Sequence, residues 1–161
     1  MAGGNLIQEE SKSYVLSHGR VTDGEAVAAP SPGRLPCKLL VHAVGPRWQG
    51  GNKGEEIKLR KAILKCLELA DKDKFSSIAV PALSAGIFCY PVDQSVDTIL
   101  SAIVFYFKNC REGKSSKIKE IYFCDIDDNI LRAFIRCLKK KYGQDVKEID
   151  VEEDGLYIYR K

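Results

Sequence analysis

The chain lacks any apolar run approaching the ~20 residues that a membrane-crossing helix needs. Its opening stretch, MAGGNLIQEE, has no basic segment followed by an apolar core, so it does not read as a secretion signal. The six cysteines, at 37, 66, 89, 110, 124 and 137, come no closer than 13 positions to one another. No CxxC pair exists, and with it go the usual zinc and disulfide frameworks. Cys37, Cys66, Cys124 and Cys137 fall within apolar strand or helix patterns, as expected of reduced, buried thiols in an intracellular protein. The phosphate-loop pattern GxxxxGK and the dinucleotide pattern GxGxxG are both missing. Neither sign of charge is in large excess: 25 Lys and Arg against 22 Asp and Glu give a net charge of +3. That is too mild to argue for nucleic acid, yet it suits an anionic small ligand.

What is present fits a single α/β domain. The 161 residues are 45% hydrophobic and 29% charged, enough for one sizeable core. A helix is expected over 5–18, with Ile7, Tyr14 and Val15 on one face and Gly19 as its stop. The Pro- and Gly-punctuated stretch 19–36 reads as a loop with a short strand over 25–28. CKLLVHAV, at 37–44, and SSIAVPAL, at 76–83, read as buried strands, and KIKEIYFCDI, at 117–126, as a third. Between them lie amphipathic helices over 55–70, 93–108 and 128–142. Their inward stripes are Leu59, Ala62, Ile63, Cys66, Leu67 and Ala70, then Val96, Ile99, Leu100, Ile103 and Phe107, then Leu131, Phe134, Ile135 and Leu138. VKEIDV and LYIYRK flank EEDG and predict a hairpin, with Gly155 in its turn. Alternating strands and helices predict a largely parallel, mixed central sheet with helices on both faces, a three-layer α/β/α architecture.

One stretch carries chemistry. VPALSAGIFCYP, at 80–91, begins as a buried strand and then turns through Ser84, Ala85 and Gly86, all small. Ligands of open α/β sheets bind beyond the carboxyl ends of the strands. A small-residue turn there lets backbone N–H groups reach an anion, phosphate above all. Phe88 and Tyr90 are then placed to cover a sugar or base. The competing reading is a tight strand-to-helix turn with aromatics tucked into the core, and the residues alone leave both open.

Two motifs together carry a resemblance. LPCKLLVHAVGPRW followed by SIAVPALSAGIFCYP is similar to the macrodomain family, the ADP-ribose-binding module, and most resembles the macrodomains of macro-type poly-ADP-ribose polymerases. The resemblance covers residues 1–143 and leaves 144–161 as a C-terminal strand or hairpin extension. It implies that Ser84, Ala85, Gly86, Ile87 and Phe88 wrap the diphosphate and distal ribose, with Tyr90 flanking that ribose or supporting the loop. It also implies that Asp125 and Ile126 lie on the adenosine side. Ala85 stands where Ser or Thr is usual, which removes a hydroxyl. The family's first strand with its Asp, its Asn turn and its glycine-rich phosphate loop have no match here, so a macrodomain lacking its first strands and half its site is expected.

The remaining candidates have structural readings beside the functional ones. His42, mid-strand, reads as a hydrogen-bonded structural histidine with no nucleophile to serve. Cys89 lies in the loop and is expected to be partly exposed. Asp127 or Asp128 is expected to cap a helix rather than hold a metal. Lys139, Lys140 and Lys141 suit a helix C-terminus. Trp48 is expected to pack over a strand edge. The function implied is a module that binds ADP-ribose or ADP-ribosylated proteins, with no cofactor, metal, membrane or catalytic residue. The alternatives are an ADP-ribosyl-protein hydrolase and a ligand-free scaffold. The nucleus and the cytoplasm are the expected compartments.

Overall fold

Leu59, Ala62, Ile63, Cys66, Leu67 and Ala70 recur at helical spacing, and all are buried along α2 (Glu55–Lys72), the spine of the molecule. A computed structural model of the chain describes residues 4–29, 33–110, 116–143 and 156–160, the last group as backbone. Beside α2 lies α3 (Val92–Cys110), burying Val96, Ile99, Leu100, Ala102 and Ile103. Then comes α4 (Asp128–Tyr142), whose Leu131, Phe134 and Leu138 face the core. Phe134 stacks on Phe123 with ring centroids 4.5 Å apart, fixing α4 on the sheet. Phe107 and Ile135, at the edges of their stripes, are half-buried.

The sheet is in two pieces. β1 (Ala26–Ala28) pairs antiparallel with β2 (Val41–Ala43). β3 (Ser77–Val80) pairs parallel with β4 (Glu120–Cys124), and β5 (Leu156–Arg160) runs antiparallel on the far side of β4. The pairing is therefore mixed, with β3–β4 the parallel pair among the described strands. Helix α2 packs against β1, β2 and β3 and bridges both pieces. No ladder joins β2 to β3 among the described residues. They meet instead through the loops that follow them, where the Trp48 N–H donates to the Phe88 carbonyl at 2.9 Å.

Several expectations need correction. The strand expected over 37–44 shrinks to Val41–Ala43, and Cys37 is exposed, not buried. A tight turn, Cys37 N–H to the Leu35 carbonyl at 2.8 Å, keeps that end in a loop. Cys66 is buried, which pushes its thiol up to about 12, whereas Cys124 and Cys137 are half-buried. The segment expected as a buried strand over 76–83 pairs over Ser77–Val80 with Val80 buried and Ser77 and Ala79 exposed, β4 being its one strand neighbour among the described residues. In α1 (Gly4–His18), Ile7 and Tyr14 are half-buried but Val15 is 39% exposed. The first arm of the expected hairpin, 146–151, and Gly155 lie outside the described residues. Its second arm pairs with β4.

Polar anchors finish the frame. The Ser11 hydroxyl and His42 Nε2 lie 3.2 Å apart, so this histidine ties α1 to β2. Asp127 caps α4, accepting from the Asn129 N–H at 2.8 Å, and Gly143 ends it at φ 77°. Lys141 reaches Asp97 of α3 at 2.9 Å.

Asp71, at the end of α2, is a further anchor. It accepts from the Tyr106 hydroxyl at 2.6 Å, the Ser116 hydroxyl at 2.9 Å and the Lys117 N–H at 2.8 Å. Burial works to raise its pKa, but these donors, with the Ile118 N–H, outweigh it and hold the carboxyl below its ordinary 3.8. Asp71→Ala should therefore cost about 1–3 kcal/mol, since it orphans several donors. A folded pKa below the unfolded one stabilises fully above 3.8, and that stabilisation is lost as pH falls through the depressed value. Urea midpoints of the wild type and the variant should thus differ at neutral pH and converge in acid below 3.8. A constant difference across that range contradicts the assignment.

Candidate ligand-binding site

Beyond β3 the chain runs from Pro81 to Pro91 through consecutive tight turns. The Leu83 N–H donates to Pro81, Ala85 to Ala82, Cys89 to Gly86 and Tyr90 to Ser84, all to carbonyls. The Ser95 hydroxyl of α3 donates to the Leu83 carbonyl at 2.8 Å and fixes the loop to the helix. These bonds leave the N–H groups of Gly86, Ile87 and Phe88, in succession, with no protein acceptor among the described residues. Gly86 and Ile87 are exposed. Successive unpaired N–H groups in a turn form a concavity that favours an anion.

The winding is achieved at a conformational cost. Ser84 sits at φ 72° and Cys89 at φ 55°, in the left-handed region that side chains disfavour. Ser84 is also buried, at 8% exposure, and its hydroxyl has no hydrogen-bond partner among the described residues. Strain of this kind persists where the surrounding structure enforces it, and it clusters at ligand sites. The enforcement comes from β2's loop. A Cβ on Gly45 would fall inside the contact shell of the Ser84 hydroxyl and 3.0 Å from Leu83 Cγ, so the two loops meet backbone against side chain.

The floor is aromatic and is held by one carboxylate. Tyr90 is 3% exposed and packs on Trp48, ring centroids 4.6 Å apart. Gly51 lies under Trp48, where a Cβ would come 2.9 Å from the ring. The buried Glu55 carboxylate accepts from the N–H groups of Gln49 at 3.0 Å, Gly51 at 3.1 Å and Lys53 at 2.6 Å. Burial works to raise the Glu55 pKa, but these donors and its own N–H prevail and keep it below the usual carboxylate range. Glu55→Ala should release the 49–53 loop and lower the melting temperature by several degrees. Trp48 is the sole tryptophan, so its emission reads the loop directly. Unchanged emission and melting in the variant contradict this role for Glu55.

The expected site residues separate into lining and support. Gly86, Ile87 and Phe88 supply the open N–H groups, and Ile87 projects its side chain at 88% exposure. The Ala85 N–H is spent on Ala82, and its half-buried side chain packs on the core. Ser84 and Tyr90 are buried beneath the loop. Cys89 is exposed. The parallel register Val80↔Phe123 brings Asp125 and Ile126 to the same end of the sheet as the loop. Asp125 accepts from the Asp127 N–H at 3.2 Å, and Ile126 is fully exposed. Sequence reasoning missed Gly45, Arg47 and Glu55. A glycine-rich loop ending in a glutamate at a helix start was the available signal for Glu55. No group of three or more His, Cys, Asp and Glu side chains converges among the described residues. No helix among them is long and apolar enough to cross a membrane.

Comparison with known proteins agrees with this geometry. The Macro domain family model matches residues 1–99. An uncharacterized protein of Thermotoga maritima is 40% identical over 133 residues, covering 83% of this chain and 22% of that protein. Protein mono-ADP-ribosyltransferase PARP14 of Homo sapiens is 37% identical over 139 residues, covering 86% of this chain and 8% of that protein. The chain thus spans a small part of these relatives' lengths. Among solved structures, a mutant macrodomain of Oceanobacillus iheyensis with ADPR superposes at a TM-score of 0.76 with 21% identity, covering 89% of this chain and 75% of that one. The fold, the paired motifs and the family match converge: this chain belongs to the Macro domain family.

Proposed function

We propose that the chain is a binding module for ADP-ribose, free or carried on a modified protein. The observation that carries this reading is the run of three N–H groups at Gly86, Ile87 and Phe88 that find no acceptor among the described residues, beside the strained Ser84. These donors suit the diphosphate, with the distal ribose toward Phe88 and the adenosine toward Asp125 and Ile126. Tyr90 acts from below, its ring tilted against Trp48, as support for the loop. The family match and the ADPR in the Oceanobacillus iheyensis structure support the ligand class.

Within the described residues, this loop supplies the N–H donors of the proposed site. Charge-assisted hydrogen bonds contribute roughly 1.5–3 kcal/mol each, against the cost of immobilising the ligand, so binding in the micromolar-to-millimolar range is expected. Calorimetric titration with ADP-ribose and with adenosine, which lacks the phosphates, tests the reading. ADP-ribose should bind measurably and adenosine should not. Equal affinity for both would remove the diphosphate from the account. An ADP-ribosylated peptide should be retained by the chain without release of ADP-ribose, and steady release would mark a hydrolase instead. The nucleus and cytoplasm are the proposed compartments.

A further inference from the structure

Arg47 is exposed, and its guanidinium carbon lies 5.9 Å from the centre of the Phe88 ring. A cation over an aromatic face is an ordinary surface contact when a carboxylate also neutralises it. Here none does: the ion pairs among the described residues join other partners and leave Arg47 out. Its backbone is fixed on both sides. Pro46 before it is fully buried, and the Trp48 N–H after it is bonded to the Phe88 carbonyl. Beyond that, Glu55 gathers the 49–53 backbone, and Trp48 is wedged between Gly51 and Tyr90. These contacts frame Arg47, which thus carries a full positive charge to the ring at the end of the anion-favouring turn.

We propose that Arg47 is the counter-charge of this site, its guanidinium pairing with an oxyanion of the bound ligand. This rests on the ADP-ribose reading and deepens it. The three N–H groups are partial charges that any phosphate can use, whereas a guanidinium offers a planar, bidentate fork and a whole charge. Contact with Phe88 restricts the fork's rotation, so less freedom is lost when it pairs. Two sources offer the required oxyanion: the diphosphate of ADP-ribose, and a carboxylate of the protein segment that carries it. Arg47 is a binding and selectivity residue in either case.

The test compares the wild type with Arg47→Ala, Arg47→Lys and Arg47→Glu. The probes are ADP-ribose, an ADP-ribosylated peptide with glutamates flanking the modified residue, and the same peptide with serines there. Trp48 emission checks that the loop is intact. If Arg47 pairs with the diphosphate, Arg47→Ala weakens all three probes about tenfold and flattens their salt dependence. If it pairs with the peptide, ADP-ribose affinity is unchanged and the preference for the glutamate peptide disappears in Arg47→Ala and reverses in Arg47→Glu. Arg47→Lys should recover only part of either effect. Equal binding of every probe by the wild type, Arg47→Ala and Arg47→Glu overturns the proposal. Should the wild type bind no ADP-ribose probe, the underlying reading fails. Inorganic pyrophosphate then decides Arg47 alone, and binding of it equal in Arg47→Ala, or absent from the wild type, overturns the proposal too.

Discussion

Gly86→Val should lose ADP-ribose binding by at least about a hundredfold while melting at the wild-type temperature. The two halves of this result have separate causes. A Cβ on Gly86 would meet nothing within 4 Å, and Gly86 is not among the glycines at positive φ. The fold therefore tolerates a side chain there. On the proposed reading, that open space is where an oxyanion sits to reach the N–H groups of Gly86, Ile87 and Phe88. An isopropyl group in that space displaces it. Losing two or more charge-assisted bonds at roughly 1.5–3 kcal/mol each corresponds to two or more decades of affinity. Calorimetry beside a thermal melt reads both halves, and a variant that still binds ADP-ribose as the wild type does refutes the assignment.

Gly45→Ala should act in the opposite way, through the frame. Its Cβ would collide with the Ser84 hydroxyl and press Leu83 Cγ at 3.0 Å and Cδ2 at 3.2 Å. Leu83 packs against the core and Ser84 is buried at φ 72°, so neither yields freely. Overpacking of this kind costs about 1–3 kcal/mol. The displaced turn should also lose affinity for ADP-ribose more than about tenfold, as misplaced donors do. Ser84→Gly in the same chain should recover part of both losses, because it removes the hydroxyl and accepts the positive φ. Ser84→Gly by itself should be neutral or stabilising, since it deletes a buried, unpartnered hydroxyl along with the strain. Chemical denaturation of the three variants checks this ordering. A Gly45→Ala protein as stable as the wild type contradicts it.

The legible parts of this fold were those with a strong period. Helix α2 buries the whole stripe that its sequence marks, and Asp128–Tyr142 ends where Gly143 indicates. Helices carry their signal in one continuous segment, and their local bonds need no partner. Strands do not. Cys37–Leu40 looks as apolar as Val41–Ala43, yet the ladder with β1 begins at Val41, because a strand ends where its partner ends. The α1 face looked equally amphipathic, but nothing in a single helix tells how much of its stripe will meet a partner.

At the candidate site, the small-residue turn was legible as a place where a ligand could approach the backbone. Gly86 fits that expectation, since a Cβ there would meet nothing within 4 Å, whereas the left-handed conformations of the turn, which no pattern displays, fall on Ser84 and Cys89. Ala85 was expected to donate and spends its N–H internally on Ala82. Gly45, Arg47 and Glu55 stayed hidden because each acts across a gap of more than thirty residues or through backbone atoms. Phe88 lies 41 positions from Arg47, and no pattern in either stretch pairs them. Glu55 bonds three N–H groups, which every sequence possesses and no sequence displays.

The central claim is that the N–H groups of residues 86–88 hold the ligand's diphosphate. Amide chemical shifts of the isotope-labelled chain, followed during titration with ADP-ribose, test it most directly. The account predicts saturable, downfield movement greatest at Gly86, Ile87 and Phe88, with Trp48 and Tyr90 moving less. A folded chain whose amides do not move, or one that binds ADP-ribose with its largest shifts elsewhere, would contradict it.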